Sequence, residues 1–530
     1  MAEHKKEIDR RRTFAIISHP DAGKTTITEK LLLYGGAIQM AGTVKAKRSK
    51  KFATSDWMEL EKKRGISVSS SVMNFPYDGH SINLIDTPGH EDFSEDTYRT
   101  LTAVDSVLML IDGANGVEAQ TKKLFEVCHM QKAPVLVFIN KMDRESRDPF
   151  ELLEEIEKVL GIRCSPVTWP IGSGDRFRGV YHRLNKQVLL YDKDTERSEP
   201  IPLKDVALDG PEMIDLVGEE LAEALAGEIE LLEGAGDDMS IEDYLSGNLA
   251  PVFFGSALNN FGVQPLLNAI CELAPSPRSR HSSVRAVEPT ENKFSAFVFK
   301  IQANMDPMHR DRVAFMRICS GKFERGMKAH VVRTGKDHRL GRPTQFMAQD
   351  RSLVDEAWAG DIVGIHDPGV FKIGDTLTQG EKLFFTGIPV FAPEHFVRVN
   401  LKDPLKSKQL YKALNQLSEE GAVQVFRPLH GNDSILGVVG VLQFDVVEFR
   451  IKNEYGVSVS FSGLPYEAAR WIHCDDPGAM SEFIMAQGQV ICKDQHDNHC
   501  ILLDSSWRIN FLKERYPKIE YSATAENVSG

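Results

Sequence analysis

The chain has 530 residues, of which 42% are hydrophobic and 26% are charged, and its net charge is −13. This length exceeds what one hydrophobic core usually serves, so we expect two to four domains, and the acidic charge disfavours a protein that coats DNA or RNA. Seven cysteines without a repeated spacing, no signal-like amino terminus and no apolar run of membrane-spanning length indicate a cytoplasmic protein with reduced thiols.

Short apolar runs alternate with helical segments in the first half of the chain. Their apolar density is typical of a parallel sheet that helices cover on both faces. Residues 1–274 are therefore predicted to form a doubly wound α/β domain. An insert over about residues 144–250 interrupts the alternation, with a hairpin-like stretch at 180–191 and an acidic helical stretch at 211–232. The strand-like runs are 14–17, 82–85, 106–111, 135–139 and 252–254.

A candidate phosphate-binding loop lies between the first strand and the helical segment 26–34. In this setting successive backbone N–H groups bind phosphate, the lysine reaches the β and γ oxygens, and the hydroxyl of Thr25 ligates Mg²⁺. A serine replaces the first glycine of the usual pattern, so an ordinary strand-to-helix turn is the alternative. The loop consists of Ser18, His19, Pro20, Asp21, Ala22, Gly23, Lys24, Thr25 and Thr26.

A second motif follows the run 82–85 and consists of Asp86, Thr87, Pro88, Gly89 and His90. An acid at this position can hold Mg²⁺ through a water molecule, and the Gly89 amide can bond a γ-phosphate. In isolation such a sequence more often forms an ordinary turn, and a histidine in it is more often a surface residue.

Two further motifs also follow strands, at the end of the sheet where open α/β folds place ligands. A carboxylate at Asp143 can accept from both N–H groups on the guanine edge, whereas adenine lacks that pair of donors. Taken alone, the first of these two motifs is more often a polar strand cap, and the other is the weakest of the set. Four motifs in one order nevertheless predict a guanine nucleotide site. The third motif is Asn140, Lys141, Met142 and Asp143, and the fourth, whose amides can contact the guanine oxygen, is Gly255, Ser256, Ala257 and Leu258.

The second half of the chain has a different pattern. Residues 275–289 are rich in Pro, Ser and Arg and are predicted to be a linker. Strand-length runs broken by Gly and Asp predict a β-barrel over 290–390. Strands and helices alternate in 391–530, which predicts an α+β ferredoxin-like domain with Leu442, Val446 and Phe449 on one helix face. We find no internal repeat in the sequence.

The four motifs, together with residues 64–67, 296–301 and 317–321, resemble those of translational GTPases such as elongation factor G. The resemblance covers most of the chain and implies a P-loop GTPase domain with an insert, a translation-factor barrel, GTP/GDP and Mg²⁺ as ligands, and the ribosome as partner. It also implies that Gly65 and Ser67 lie in the first switch. There Ser67 occupies a position where the family usually has a threonine that meets Mg²⁺ and the γ-phosphate. His90 matches the histidine that positions the attacking water.

The layout of three domains is similar to that of the family members that act in translation termination. This resemblance implies a ribosome-activated GTPase, expected to be a monomer, that promotes dissociation of class-I release factors and binds neither membrane nor DNA. Another ribosomal GTPase, a GTP-gated binding module that does not hydrolyse, and a metabolic ATP enzyme are the alternatives.

Several other polar groups have weaker interpretations. The basic stretch 45–51 and five arginines can contact ribosomal RNA or simply be solvated. The spacing of Cys492, His496, His499 and Cys500 fits none of the common zinc patterns, so we predict strands around a turn there. The arginines are Arg176, Arg178, Arg183, Arg342 and Arg351.

Overall fold

The computed structural model of the protein describes residues 2–38, 61, 67–191, 201–204, 206–235, 238–303, 312–341, 343–347, 350–389, 391–431 and 433–524. Gly65, the basic stretch 45–51, Arg342 and the side chain of Arg351 lie outside the described residues. Across the described ranges, every helix is too short or too polar to cross a membrane.

A seven-stranded sheet forms the centre of the first domain, in the order β2-β3-β1-β4-β5-β11-β6. Only the edge strand β2 is antiparallel to its neighbour, and the other pairs are parallel. The strands are β1 Arg11–Ser18, β2 Ser71–Tyr77, β3 His80–Asp86, β4 Ser106–Asp112, β5 Val135–Asn140, β6 Arg163–Pro166 and β11 Leu249–Phe254.

Helices cover both faces of this sheet, which explains why its central strands carry apolar residues at consecutive positions. Along β4, Val107, Met109 and Ile111 enter one core, whereas Leu108 and Leu110 enter the other. The helices of this domain that precede residue 167 or follow residue 254 are α1 Ala2–Asp9, α2 Lys24–Tyr34, α3 Ser94–Leu101, α4 Ala119–Met130, α5 Pro149–Leu160 and α9 Val263–Leu273. The helix α5 and the strand β6 fall within the predicted insert but belong to the central sheet and its covering layer, so the inserted sheet begins later than residue 144.

The insert adds an antiparallel sheet in the order β10-β9-β8-β7. The predicted hairpin is its β8–β9 pair, and the predicted acidic helix is divided in two at Gly218, whose φ is +89°. Its elements are β7 Thr168–Ile171, β8 Gly179–His182, β9 Gln187–Leu190, β10 Ile201–Lys204, α6 Pro211–Val217, α7 Glu219–Ala235 and α8 Ile241–Ser246.

The segment 275–289 has more structure than the linker expected from its composition. It contains two short antiparallel strands, β12 Arg280–His281 and β13 Ala286–Val287. The Arg278 guanidinium donates to the carbonyl of Lys132 at 2.7 Å, so the segment is bound to the first domain.

The barrel domain has an eight-stranded sheet in the order β18-β17-β23-β14-β15-β22-β19-β20, and β16 pairs with β21. Its interior is one apolar core that includes Phe294, Met316 and Phe323. The strands are β14 Ser295–Ala303, β15 Arg312–Ser320, β16 Lys322–Glu324, β17 Lys328–Val331, β18 Lys336–Arg339, β19 Pro343–Met347, β20 Asp350–Leu353, β21 Glu356–Trp358, β22 Ile362–His366 and β23 Thr376–Thr378.

The C-terminal domain contains two β-α-β-β-α-β units rather than one. The first consists of β24 His395–Leu401, α10 Ser407–Glu419, β25 Gln424–Pro428, β26 Ile435–Val438, α11 Leu442–Tyr455 and β27 Val459–Gly463. The second consists of β28 Ala468–His473, α12 Pro477–Gln487, β29 Ile491–Lys493, β30 His499–Leu503, α13 Ser506–Arg515 and β31 Glu520–Ser522.

Both units have the strand arrangement of a ferredoxin-like fold. They join edge to edge through β25 and β29 in one sheet, β27-β24-β26-β25-β29-β30-β28-β31. The fold therefore repeats where the sequence shows no repeat.

Candidate nucleotide-binding site

Backbone geometry shapes the loop between β1 and α2. Gly23 begins α2 with φ +99°, in the left-handed region where only glycine is unstrained. A Cβ at this position would lie 2.3 Å from Nδ2 of Asn140, so the loop also needs the absence of a side chain. Gly23 supplies no side-chain cap, which leaves the first N–H groups of α2 available to an anion.

A buried ion pair joins the loop to the second motif. Nζ of Lys24 lies 2.5 Å from Oδ1 of Asp86, and both side chains are buried. Thr87 anchors the following turn by donating from Oγ1 to the carbonyl of Ile16 at 2.7 Å. Gly89 lies next to the loop, where a Cβ would make ordinary contact with the Pro20 nitrogen at 3.5 Å.

Asn140 connects three of the four motifs. Its Nδ2 donates to the carbonyl of Ala22 at 2.8 Å, and its Oδ1 accepts from the Ala257 N–H at 2.8 Å. The Met142 N–H also donates to the carbonyl of Gly255 at 3.1 Å. The loop and the two motifs that follow β5 and β11 are thus held together by one amide side chain. Ser256 beside them is buried, whereas Leu258 is exposed.

The sequence reasoning missed Asp112, the last residue of β4. Its Oδ2 lies 2.6 Å from Nζ of Lys141, whose backbone is left-handed with φ +69°. Asp112 lies beside Asn140 in the β4–β5 register. A polar residue directly after the apolar run 106–111 was the signal that could have revealed it.

Asp143 has a partly exposed side chain. Its carboxylate makes no hydrogen bond or ion pair with any residue that the structure describes. Both carboxylate oxygens are therefore open to donors on a ligand, as recognition of the guanine edge requires.

His90 lies beside the C-terminal domain. It precedes the 3₁₀ helix Glu91–Phe93, and its Nδ1 accepts from the Asp92 N–H at 3.3 Å. The imidazole also meets the Phe93 ring edge-on, with 6.2 Å between centroids. Phe93 in turn packs against Val446 of α11.

Comparisons with known proteins agree with this geometry. The Elongation factor Tu GTP binding domain family matches residues 9–276, which is about half of the chain. Elongation factor G domain 2 matches residues 293–380, and the C-terminal domain of the class II release factor RF3 matches residues 385–513. The chain belongs to the translational GTPases. Within them it is similar to the class II release factor RF3 and related to elongation factor G.

A solved structure is similar to this chain over most of its length. A crystal structure of a protein from Thermus thermophilus is similar with a TM-score of 0.69 and 26% identity. The similarity covers 91% of this chain and 72% of that chain. These comparisons confirm the predicted fold class.

The residues of this translational GTPase fit a guanine nucleotide and its magnesium ion. Oγ of Ser18 and Nδ1 of His19 are buried in the loop without a hydrogen-bond partner among the described residues, as expected where a polar ligand completes the site. Thr25 lies in the first turn of α2 beside the Lys24–Asp86 pair and, like Ser67, is partly buried. Hydroxyl and carboxylate oxygens are the ligands that Mg²⁺ prefers.

Among the described residues, two of the three insert arginines make hydrogen bonds or ion pairs through their side chains. Arg176 lies 2.8 Å from Glu220, and Arg183 donates to the carbonyl of Pro166 at 2.9 Å. Arg178 is exposed. Of the three, Arg178 is therefore the arginine whose side chain is most available for the predicted contact with ribosomal RNA.

Proposed function

We propose that this translational GTPase acts in termination, where the ribosome stimulates its GTP hydrolysis and it promotes dissociation, and so recycling, of class-I release factors. The observation that carries the proposal is the match of residues 385–513 to the C-terminal domain of a class II release factor. A monomer working at cytoplasmic ribosomes is the setting that fits this activity.

We assign nucleotide binding to the four motifs. The loop from Ser18 to Thr26 would bind the phosphates through backbone N–H groups, and Lys24 would contact the β and γ oxygens. Asp143 would accept from the guanine edge, while Asn140 keeps loop and base site together through its two hydrogen bonds. Thr25, Ser67 and Asp86 would hold Mg²⁺, which neutralises phosphate charge when bound.

Hydrolysis requires a water molecule aligned with the γ-phosphorus. The water oxygen forms the new bond to phosphorus, the bond to the β–γ bridging oxygen breaks, and GDP and phosphate result. His90 is the residue we assign to hold that water, because the reaction depends mainly on positioning and charge stabilisation. Its present contacts with Asp92 and Phe93 are consistent with slow turnover until the ribosome reorients it.

The test measures dissociation of a labelled class-I release factor from terminated ribosomes with GTP. We expect the protein to accelerate this dissociation. The Lys24→Ala variant should lose nucleotide affinity by about 10- to 100-fold. The His90→Ala variant should bind GTP normally but hydrolyse it about 100-fold more slowly. Release that is no faster with the protein than without it would exclude the termination role. If ribosomes do not stimulate GTP turnover, the protein is a binding module instead.

Guanine recognition has its own control. Asp143→Asn should shift preference from guanine to xanthine nucleotides, because the amide offers a donor where xanthine has a carbonyl. Effective competition by ATP against GTP for the unmodified protein would contradict the assignment.

A further inference from the structure

The 3₁₀ helix Glu91–Phe93 makes a direct polar contact with the C-terminal domain. Oδ2 of Asp92 accepts from the N–H of Leu442 at 2.6 Å. Leu442 is the first residue of α11, so the carboxylate satisfies a free N–H group and lies at the positive end of the helix dipole.

The backbones of the two domains also touch at this point. A Cβ built on Gly440 would lie 2.2 Å from Cα of Asp92, closer than any real contact. The φ of Gly440 is not in the left-handed region, so the absent side chain is needed for the approach of the domains and not for the turn. Docking therefore depends on Gly440, although the fold of the C-terminal domain itself does not require a glycine at this position.

The same aspartate holds His90. Its N–H donates to Nδ1 of His90 at 3.3 Å, and its Oδ1 lies 3.8 Å from the same nitrogen. With Nδ1 as acceptor, a neutral imidazole carries its proton on Nε2. Asp92 thus bonds the docked domain through its side chain and the histidine through its backbone.

We propose that Asp92 is a positioning residue that couples docking of the C-terminal domain to the orientation of His90. While the domain is docked, the bond from Leu442 fixes the 3₁₀ turn, whose Asp92 N–H holds the imidazole on the side of Phe93. Separation of Gly440 from Asp92 lets this turn move, and the imidazole can then reach the water. This inference rests on the proposed role of His90 in hydrolysis. Any partner that moves the C-terminal domain away would then raise the rate of GTP hydrolysis.

The experiment measures GTP turnover by the full chain without ribosomes. Gly440→Ala separates the domains without altering Asp92 or His90, and Asp92→Ala removes the same contact from the other side. We expect each to raise kcat about fivefold with KM unchanged, since one net hydrogen bond is lost. Asp92→Asn keeps an acceptor for the Leu442 N–H and should stay close to the unmodified rate.

Gly463→Ala is the matched control, because a Cβ there meets nothing within 4 Å and the residue lies in the same domain. The increase in kcat caused by Gly440→Ala must disappear when His90→Ala is combined with it, because the proposed effect acts through the histidine. If KM changes together with kcat, or if kcat still increases in the variant that lacks His90, the contact is merely structural and the proposal is overturned.

The failure of this inference differs from failure of the proposed function. If His90→Ala slows hydrolysis while Gly440→Ala and Asp92→Ala both match the Gly463→Ala control, the coupling is wrong and the role of His90 stands. If His90→Ala hydrolyses GTP at the unmodified rate, the role of His90 and the coupling are both wrong. Should Gly440→Ala not fold, the result with Asp92→Ala decides.

Discussion

The nucleotide domain meets its two neighbours through interfaces of different chemistry. Toward the barrel the contacts are buried charges: Arg317 lies 2.5 Å from Asp105, and Arg11 lies 2.7 Å from Asp361. Gly360 accepts from both Arg317 and Thr13 at 2.7 Å. Such pairs cannot separate partly, because each displaced charge would remain in an apolar setting without a partner.

Toward the C-terminal domain the contacts include apolar packing and single hydrogen bonds, beside a cavity of about 70 Å³ that residues of all three domains line. A small apolar cluster forms around Phe93 and Val446, and single hydrogen bonds connect Asp92 with Leu442 and Arg99 with Gly421. These contacts can be exchanged for water at modest cost. We therefore expect the nucleotide domain and the barrel to move as one body, and the C-terminal domain to be the part that rearranges.

The largest expected effect comes from removing a buried charge at the barrel interface. Asp105→Ala leaves Arg317 buried without its partner and should lower the free energy of unfolding by about 3–5 kcal/mol in urea titrations. The exposed pair Arg325–Asp355 is the matched control, and Asp355→Ala should cost less than about 1 kcal/mol. Equal losses for the two variants would contradict the rigidity of this interface.

A smaller loss is expected at Lys300, which the barrel contributes to the junction. Its Nζ donates to Oγ of Ser69 at 2.5 Å and to the carbonyl of Ser70 at 2.5 Å, and it lies 3.3 Å from Asp96. Lys300→Met keeps the length of the side chain but removes the donors, so we expect a loss of about 2–3 kcal/mol in urea unfolding. Lys322→Met, which breaks only partly exposed pairs in the same domain, should change stability by less than about 1 kcal/mol.

Two adjacent valines of α11 allow docking of the C-terminal domain to be tested separately from its folding. Val446 packs against Phe93 across the interface, whereas Val447 is in the core of its own domain. Val446→Ala should weaken docking by about 1 kcal/mol and speed hydrogen exchange of the Leu442 amide, without lowering the melting temperature of the domain. Val447→Ala should lower that melting temperature instead. If both valines behave alike, α11 is not an independent docking face.

Much of this comparison could not be read from the sequence. The fold class and the nucleotide motifs were predictable because phosphate and guanine binding use short contiguous patterns at strand ends. Asp105 and Arg317, in contrast, are 212 positions apart, and neither belongs to a pattern. The face of Leu442, Val446 and Phe449 was predicted, but periodicity does not tell whether a face meets its own core or another domain.

The C-terminal domain shows a second limit of sequence reasoning. Its two halves share a strand order and not a residue pattern, because a ferredoxin-like unit requires only apolar alternation with helices in the right order. The site residues themselves remain predictions that the nucleotide experiments test, although the structure brings three of the four motifs together at Asn140.

The smallest expected effect is a dependence of docking on pH. It follows from two neighbouring carboxyl groups whose pKa values shift in opposite directions. Burial raises the pKa of Glu95 above its ordinary 4.5, despite the attraction of Arg99. For Asp96 burial also acts upward, but Lys300 and Arg99 together with hydrogen bonds from Ser70 hold its pKa below 3.8. Across the cavity, burial raises the pKa of Glu420 beside Arg450 as well.

The sign follows from these directions. A carboxyl whose pKa is raised on docking stabilises the docked state when protonated, and this contribution disappears as the pH rises through the raised pKa. Lowering the pH from neutral through the raised pKa toward the ordinary 4.5 of a glutamate should therefore strengthen docking of the C-terminal domain by less than about 1 kcal/mol, seen as a smaller radius of gyration in X-ray scattering. The pKa of Asp96 lies below its ordinary 3.8, so Asp96 stays charged while the glutamates take up protons, and the barrel interface should not respond to this acidification. Glu95→Gln should reduce the compaction, and compaction of equal size in that variant would assign the response to Glu420 alone.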